Sequence, residues 1–344
     1  MAGNPNAVVE PGKKSFRQAL NEALRQEMER DERVILIGED IVGGVGGNGE
    51  EDAWGGVMGV TKGLYHRFGK ERVIDTPISE MSYIGAAVGA AATGLRPVAE
   101  LMFCDFLGCC FDQIMNQAAK IRYMFGGRVE MPLVIRMQCG AGFSAAAQHS
   151  QTLHALVTHI PGLKVVMPSN PFDAKGMLIE AIRDNDPVLF FENKVMYDDV
   201  GVVPDEAYTV PFGEAALRAY GEDVTIAALG RMVNIAEQAL PGLRAKGINP
   251  TLIDLRTTSP LDEETLLESL EETGRLVVVD EGSPRCGFAA DIAALAASKG
   301  FGSLRAPVQL VTPPHTPIPF SPILEAAYLP DAARIAAAVE EVMR

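Results

Sequence analysis

The sequence predicts an α/β protein built from two parallel-sheet domains, and three observations carry that prediction. Short, continuously apolar segments ("RVILIGED", "RPVAELMF", "PLVIRMQC", "LKVVMPS", "PVLFFEN") alternate with helix-like stretches, the pattern of parallel strands covered on both faces. The alternation halts around residues 200–212, where "GVVPDEAYTVPFG" holds two prolines and no periodicity, and then restarts. A chain of 344 residues also supplies enough material for about two cores of ordinary domain size. The expected division is an N-terminal extension over 1–14, a first domain over 15–200, a linker over 201–212 and a second domain over 213–344.

Each element follows from its own residues. "SFRQALNEALRQEMERD" places apolar side chains at helical spacing with Ser15 as N-cap, and it leads into the buried strand "RVILIGED". A glycine-rich loop occupies 43–63. "CFDQIMNQAAKIRYMF" and "NPFDAKGMLIEAIRDN" read as helices between strands. In the second domain the strands "DVTIAALG", "NPTLIDLRT", "RLVVVDE" and "PVQLVTPP" alternate with helices at 232–246, 262–273, 287–299 and 330–343. No internal repeat or low-complexity tract interrupts this order.

Bulk composition narrows the function classes. Apolar content of 47% and charged content of 22% describe an ordinary globular chain. A net charge of −15 and a pI near 4.8 disfavour nucleic acid and anionic membrane as partners. The N-terminus has no apolar segment of the kind a signal peptide needs. The most apolar stretch, 84–110, is interrupted by Arg96, Pro97, Glu100 and Asp105, so it is not expected to span a bilayer. Five cysteines (Cys104, Cys109, Cys110, Cys139, Cys286) are odd in number and irregularly spaced. The expectation is buried free thiols in a reducing cytoplasm.

Three motifs invite a chemical reading. "GVGGNG" at 44–49 formally satisfies the dinucleotide glycine pattern, but Glu50, Glu51 and Asp52 follow it and would repel a phosphate, so a loop is expected. The histidines His149, His154 and His159 stand five apart, which disfavours a shared metal face. His149 has small residues before it, and Gln148, Ser150 and Gln151 beside it are able to orient an imidazole. On the residues alone, a hydrogen-bonded structural histidine is the commoner reading. In "DTPISEMSYIGAAVGAAATGLRPVAEL", Glu80 heads a long apolar run, where an unpaired buried carboxylate is costly. It reads equally as a first-turn acid favoured by the helix dipole.

Taken together and in order, "GEDI", "DTPISEMSYIGAAVGAA", "RPVAELMFCDFLGCCFDQIMNQAAK", "YMFGG", "PLVIR", "QHSQ", "IPGLKVVMPSNPFDAKG", "DNDPVLFFE" and "GRLVVVDEG" resemble the β subunits of thiamine-diphosphate-dependent 2-oxoacid and acetoin dehydrogenases. The likeness runs from about residue 15 to the C-terminus, and the segments "GGNGEEDAWGGVMGVTKGLYHRFG" and "CCFDQIMNQAAKIRYMFGG" are most similar to the acetoin-cleaving branch. The resemblance implies a pyrimidine-binding domain followed by a transketolase-type C-terminal domain. It further implies that Glu80 hydrogen-bonds the aminopyrimidine ring nitrogen of thiamine diphosphate and shares a proton with it, which prepares the thiazolium carbon for deprotonation. Phe106 would stack on the pyrimidine with Met102 nearby, and Cys109 would line the pocket. His149 would serve proton transfer and handover to the lipoyl group, and Glu39 would pass protons near the cofactor. A potassium ion would sit near Ala181, Asp184 and Asp186.

The GDG…NN signature that holds Mg²⁺ and diphosphate has no copy in the sequence, so that half of the site is expected from an α subunit within an α₂β₂ heterotetramer. The assembly would join a dihydrolipoyl acyltransferase core in the cytoplasm. Acetoin is the expected substrate, with pyruvate or another 2-oxoacid as the alternative. A non-catalytic scaffold relative is the reading from a different class, and a nicotinamide dehydrogenase is disfavoured by the acids after the glycine motif.

Overall fold

The computed structural model describes residues 12–42 and 55–344; the motif at 44–49 lies outside the described residues. The chain divides into two compact units, one of residues 1–139 with 157–211, the other of 140–156 with 212–344. Residues 140–156, inside the range the sequence reading assigns to the first domain, thus pack with the second unit.

In the first unit, parallel strands run across the sheet in the order Lys164–Val166, Val188–Asn193, Val134–Cys139, Arg96–Phe103, Val34–Glu39, Val73–Thr76. Nearly every residue of Val134–Cys139, Val188–Asn193 and Arg96–Phe103 is buried, as strands covered on both faces require. The helix Phe16–Arg30 starts at a complete capping box: Ser15 Oγ accepts from the Gln18 amide, and the Gln18 side chain accepts from the Ser15 amide. This helix packs on Pro171–Arg183, and between the two the fully buried Glu27 accepts from Arg183 at 2.6 Å and from Arg30 at 2.7 Å. The stretch read as an aperiodic linker contributes a strand, Val200–Val202, which pairs antiparallel with Lys13–Ser15. The single helix expected from "CFDQIMNQAAKIRYMF" is divided into Leu107–Asp112, a π-turn at Gln113–Ala118 and Ala119–Met124, with Cys110 at non-helical φ −127°.

The second unit carries a sheet in the order Gln309–Val311, Leu276–Val279, Val224–Ala228, Pro250–Asp254, Ala216–Ala219, parallel except for the last strand. The helices Arg231–Ala245 and Ala332–Val342 bury Met232, Val233, Leu240, Ile335 and Val339 against Ile226, Leu252 and Val277. Helices Glu263–Thr273 and Phe288–Lys299 complete the alternation expected from the sequence. Among the described residues no helix is long and apolar enough to cross a membrane. Cys104, Cys110 and Cys139 are buried free thiols, but Cys109 and Cys286 are exposed, which corrects the expectation of uniform burial. Cys109 lies beside the equally exposed Gly108 on the outer side of its short helix, and Cys286 occupies a loop at φ 50°.

Near the centre of the first sheet Arg136, 2% exposed, donates to Glu192 at 2.7 and 2.8 Å and to Glu100 at 2.8 Å, and the Tyr197 hydroxyl donates to Glu192 at 2.6 Å. Burial opposes the guanidinium charge, yet the two carboxylates outweigh it and raise the Arg136 pKa. Burial also raises the Glu100 pKa, against the pull of Arg136. Removing the guanidinium strands two buried carboxylates, so Arg136→Met should destabilise the chain by about 3–5 kcal/mol. Denaturant unfolding measures the loss, and adding Glu100→Gln and Glu192→Gln to the same variant should recover most of it. An unchanged unfolding midpoint for Arg136→Met alone would show that the sheet does not depend on this pair.

Candidate active site

Parallel strands all present their carboxyl ends on one side of a sheet, and it is there that ligands bind in open α/β folds. In the first unit that side collects acids. Val34–Glu39 ends in Glu39, whose register partner on the adjacent strand is Thr76, and Gly38 is paired with Asp75. The chain turns at Asp40, φ 54°, and the Ile41 amide donates to Asp75 at 2.9 Å. Helix Glu80–Ala92 begins four residues after Thr76, with half-buried Glu80 in its first turn, where the helix dipole favours a carboxylate. Tyr83 follows at i+3 and therefore faces the same way; it is 3% exposed.

These groups are poorly satisfied by protein. Glu39 Oε2, Thr76 Oγ1 and the Tyr83 hydroxyl are buried and find no hydrogen-bond partner among the described residues. Burial pushes the Glu39 pKa up, and the nearby charges of Asp40, Glu80 and Asp75 push it further. Burial likewise raises Asp75, although backbone amides oppose the shift. Burial, followed by Glu80, holds the Tyr83 phenol well above its usual range. Crowded carboxyls, a neutral phenol and a threonine hydroxyl, several of them unpaired, suit a ligand that both donates and accepts hydrogen bonds without bringing negative charge. An aminopyrimidine ring has that character, so the residues present fit the pyrimidine end of thiamine diphosphate. Tyr83, Thr76 and Asp75 were not singled out in the sequence; the i+3 spacing from Glu80 is the signal that would have found Tyr83.

Met102 is buried at the end of Arg96–Phe103, and Phe106 occupies the short turn that follows. Phe106 packs edge-on against Phe103, ring centroids 5.6 Å apart. Beneath them burial pushes the Cys110 thiol up to about 12. The π-turn at Gln113–Ala118 lies against the glycine side of helix Glu80–Ala92: a Cβ on Gly85 would stand 3.2 Å from Gln113 Oε1.

Ala181, Asp184 and Asp186 do come together, and cationic side chains reach oxygens of Asp184 and Asp186. Arg96 donates to the carbonyls of Ile182 at 2.8 Å and Asp184 at 2.5 Å. Lys164 reaches the Asp184 carboxylate at 2.5 Å, and Arg122 reaches Asp186 at 2.5 Å. The Ala181 carbonyl accepts from the Asp184 amide at 3.3 Å. Three cationic side chains thus converge on the corner where the sequence reading expects a potassium ion.

His149 belongs to the second unit, on the segment 140–156, whereas Glu39, Glu80, Met102 and Phe106 belong to the first. It is half-buried, Gln148 beside it is exposed, and Ser150 is buried. Five residues on, fully buried His154 places Nε2 3.3 Å from Asp280 Oδ1, with Phe288 edge-on at 5.8 Å. Gly282 is needed here, because a Cβ would come within 2.9 Å of both Asp280 Oδ2 and His154 Cε1.

Two family models match the chain in sequence order, the first of them spanning the 140–156 segment that packs with the second unit. Residues 12–199 match the transketolase pyrimidine binding domain and residues 213–335 the transketolase C-terminal domain. The chain is 61% identical to the acetoin:2,6-dichlorophenolindophenol oxidoreductase subunit beta of Cupriavidus necator, over 96% of this chain and 98% of that one. It is 55% identical to the Bacillus subtilis protein of the same description, over 96% and 97%. Identity falls to 42% with the pyruvate dehydrogenase E1 component subunit beta of Rickettsia conorii, over 95% and 98%. Among solved structures, a split gene transketolase described as an inactive beta4 tetramer superposes with a TM-score of 0.76 at 23% identity, covering 96% of this chain and 98% of that one, a likeness of fold. Near-complete coverage by these relatives and the two domain matches in sequence order have one reading: the chain belongs to the β subunits of the thiamine-diphosphate-dependent 2-oxoacid and acetoin dehydrogenase family.

Proposed function

We propose that this chain is the β subunit of a dehydrogenase component that cleaves acetoin to acetaldehyde and transfers the remaining acetyl unit to a lipoyl group. The atoms balance: acetoin and the lipoyl disulfide yield acetaldehyde, an acetyl thioester and a free thiol. The observation that carries the substrate is the fall in identity from 61% and 55% with the two acetoin relatives to 42% with the pyruvate relative, at similar coverage.

Thiamine diphosphate supplies the carbon nucleophile for such a cleavage. The residues proposed to hold its pyrimidine are Glu80, Glu39, Met102 and Phe106. Glu80 hydrogen-bonds the ring nitrogen and holds the proton shared with it, Phe106 stacks on the ring, and Glu39 passes protons at the edge of the site. The crowding of Glu80 with Glu39, Asp75 and the Tyr83 hydroxyl supports this reading, because it leaves buried polar atoms in need of an external partner. His149 is proposed to transfer protons during turnover and to serve the handover to the lipoyl group. The diphosphate and its Mg²⁺ are assigned mainly to an α subunit, in an α₂β₂ assembly attached to an acyltransferase core. Exposed apolar side chains support a partner: Ile78, Met81, Tyr123 and Phe125 in the first unit, Phe320 and Ile323 in the second.

Coexpression with the α subunit, followed by assays with acetoin and pyruvate, tests the substrate. A preference for pyruvate would overturn the acetoin reading and leave the family untouched. In the same assembly Glu80→Gln should leave folding intact and lower turnover about 10²–10⁴-fold, because an amide does not share the proton. Proton exchange at the thiazolium carbon reads the effect directly, and a wild-type exchange rate would remove Glu80 from the site. His149→Ala should spare cofactor affinity while transfer to lipoyl groups collapses. Loss of cofactor affinity with undiminished chemistry per bound cofactor would instead make His149 structural.

A further inference from the structure

The segment that carries His149 is built in a way its sequence does not advertise. Between Gly140 and Leu153 it has no regular structure, and its backbone alternates through left-handed conformations: Gly140 at φ 92°, Gly142 at 101°, Ser144 at 53° and Ala146 at 62°. Glycine adopts such angles freely, whereas a β-carbon disfavours them, so Ser144 and Ala146 stay there only if something holds them. Apolar packing anchors the start of the segment, where Ala141 is buried with Ile318 and Leu329, and the Gly140 amide donates to the Gln151 carbonyl at 3.0 Å. Ala147, Gln151, Thr152 and Leu153 line a cavity of about 380 Å³ together with Glu281 and Tyr328.

Over Ala141 to Ser144 a row of charged groups holds the segment as well. Glu325, 2% exposed in helix Pro322–Tyr328, spends both carboxylate oxygens on the segment. Oε1 accepts from the Gly142 amide at 2.8 Å, and Oε2 accepts from the Ser144 amide at 2.9 Å and the Ser144 hydroxyl at 3.3 Å. One residue earlier Glu281 accepts from the Ala141 amide at 2.7 Å, and Arg231 donates to the Ala141 carbonyl at 3.1 Å. On the far side His154 is fixed against Asp280. His149 stands midway, five residues after Ser144 and five before His154.

We propose that Glu325 is a positioning residue for His149: it holds Gly142 and Ser144 in the left-handed backbone that aims the segment, without itself reaching substrate or cofactor. The assignment rests on the reading of His149 as a residue of turnover. A carboxylate is required because two backbone N–H groups need two acceptor oxygens. The isosteric amide keeps one acceptor and points an N–H at the other donor, so it keeps one bond and turns the other into a donor–donor contact.

The test is Glu325→Gln in the assembled αβ enzyme. Turnover is expected to fall about tenfold or more, with KM for thiamine diphosphate and the state of assembly unchanged, the split expected of lost transition-state positioning. Amide exchange across residues 142–149 should accelerate. In a His149→Ala background the same substitution should cost no further turnover. Should Glu325→Gln fail to assemble, Glu325→Asp, which keeps both acceptors on a shorter stem, carries the same measurements with smaller losses. An equal fold-loss with and without His149, or unchanged amide exchange, would overturn the proposal. Full turnover by His149→Ala alone would overturn the reading of His149 instead, and the exchange rates would then judge the clamp by themselves.

Discussion

One buried guanidinium, that of Arg136, balances the charge around which the first unit is arranged. It sits on Val134–Cys139 between Glu100 on one neighbouring strand and Glu192 on the other, so three adjacent parallel strands are tied by a single ionic network across their hydrogen-bond ladders. Glu100 in turn is the register partner of Gly38, and a Cβ there would stand 2.9 Å from the Glu100 carbonyl. The residue after Gly38 is Glu39. The acid edge proposed to hold the pyrimidine therefore begins at the last residue of a strand whose spacing is fixed by close backbone approach and by a carboxylate paired with Arg136. Where Arg136 satisfies charge, Glu39, Tyr83 and Thr76 are left unsatisfied. A buried site that is balanced beneath and unbalanced at its rim is one prepared for a ligand.

Much of this could be read from the sequence because it is local. Ser15 and Gln18 form a capping box three residues apart, and the central strands Val134–Cys139 and Val188–Asn193 announce themselves by six consecutive buried positions. Glu80 stands out at the head of an apolar run, although the helix dipole accounts for an acid there equally well until the wider resemblance is added. What escaped is non-local or disguised. Tyr83 in "EMSYIGAAV" resembles any core aromatic, and only its unpaired hydroxyl next to Glu80 marks it. The pairing of Val200–Val202 with Lys13–Ser15 joins residues nearly 190 apart, which no window of sequence reveals. The π-turn at Gln113–Ala118 keeps helical spacing of apolar residues while changing the backbone, so periodicity alone reports a continuous helix.

The same limit applies to the clamp on the His149 segment. Glu281 and Glu325 lie 140 and 183 residues from the amides they accept, and each looks, in its own helix or turn, like an ordinary surface acid. Their burial, 8% and 2% exposed, is what distinguishes them. Acids that are buried against backbone amides are the groups a pattern of charges along the chain is least able to reveal.

The interrupted course of the chain also has a consequence for how the molecule is made. Residues 140–156 belong to the second unit, yet the rest of that unit begins only at 212. A ribosome delivers the His149 segment long before the helix that carries Glu325, so the segment must wait, its left-handed residues unsupported, while more than half of the chain is still to come. The first unit has all the strands from Lys13–Ser15 to Val200–Val202 before that helix is made and needs nothing from it. The proposed catalytic histidine is thus among the earlier residues to emerge and among the later ones to find its place.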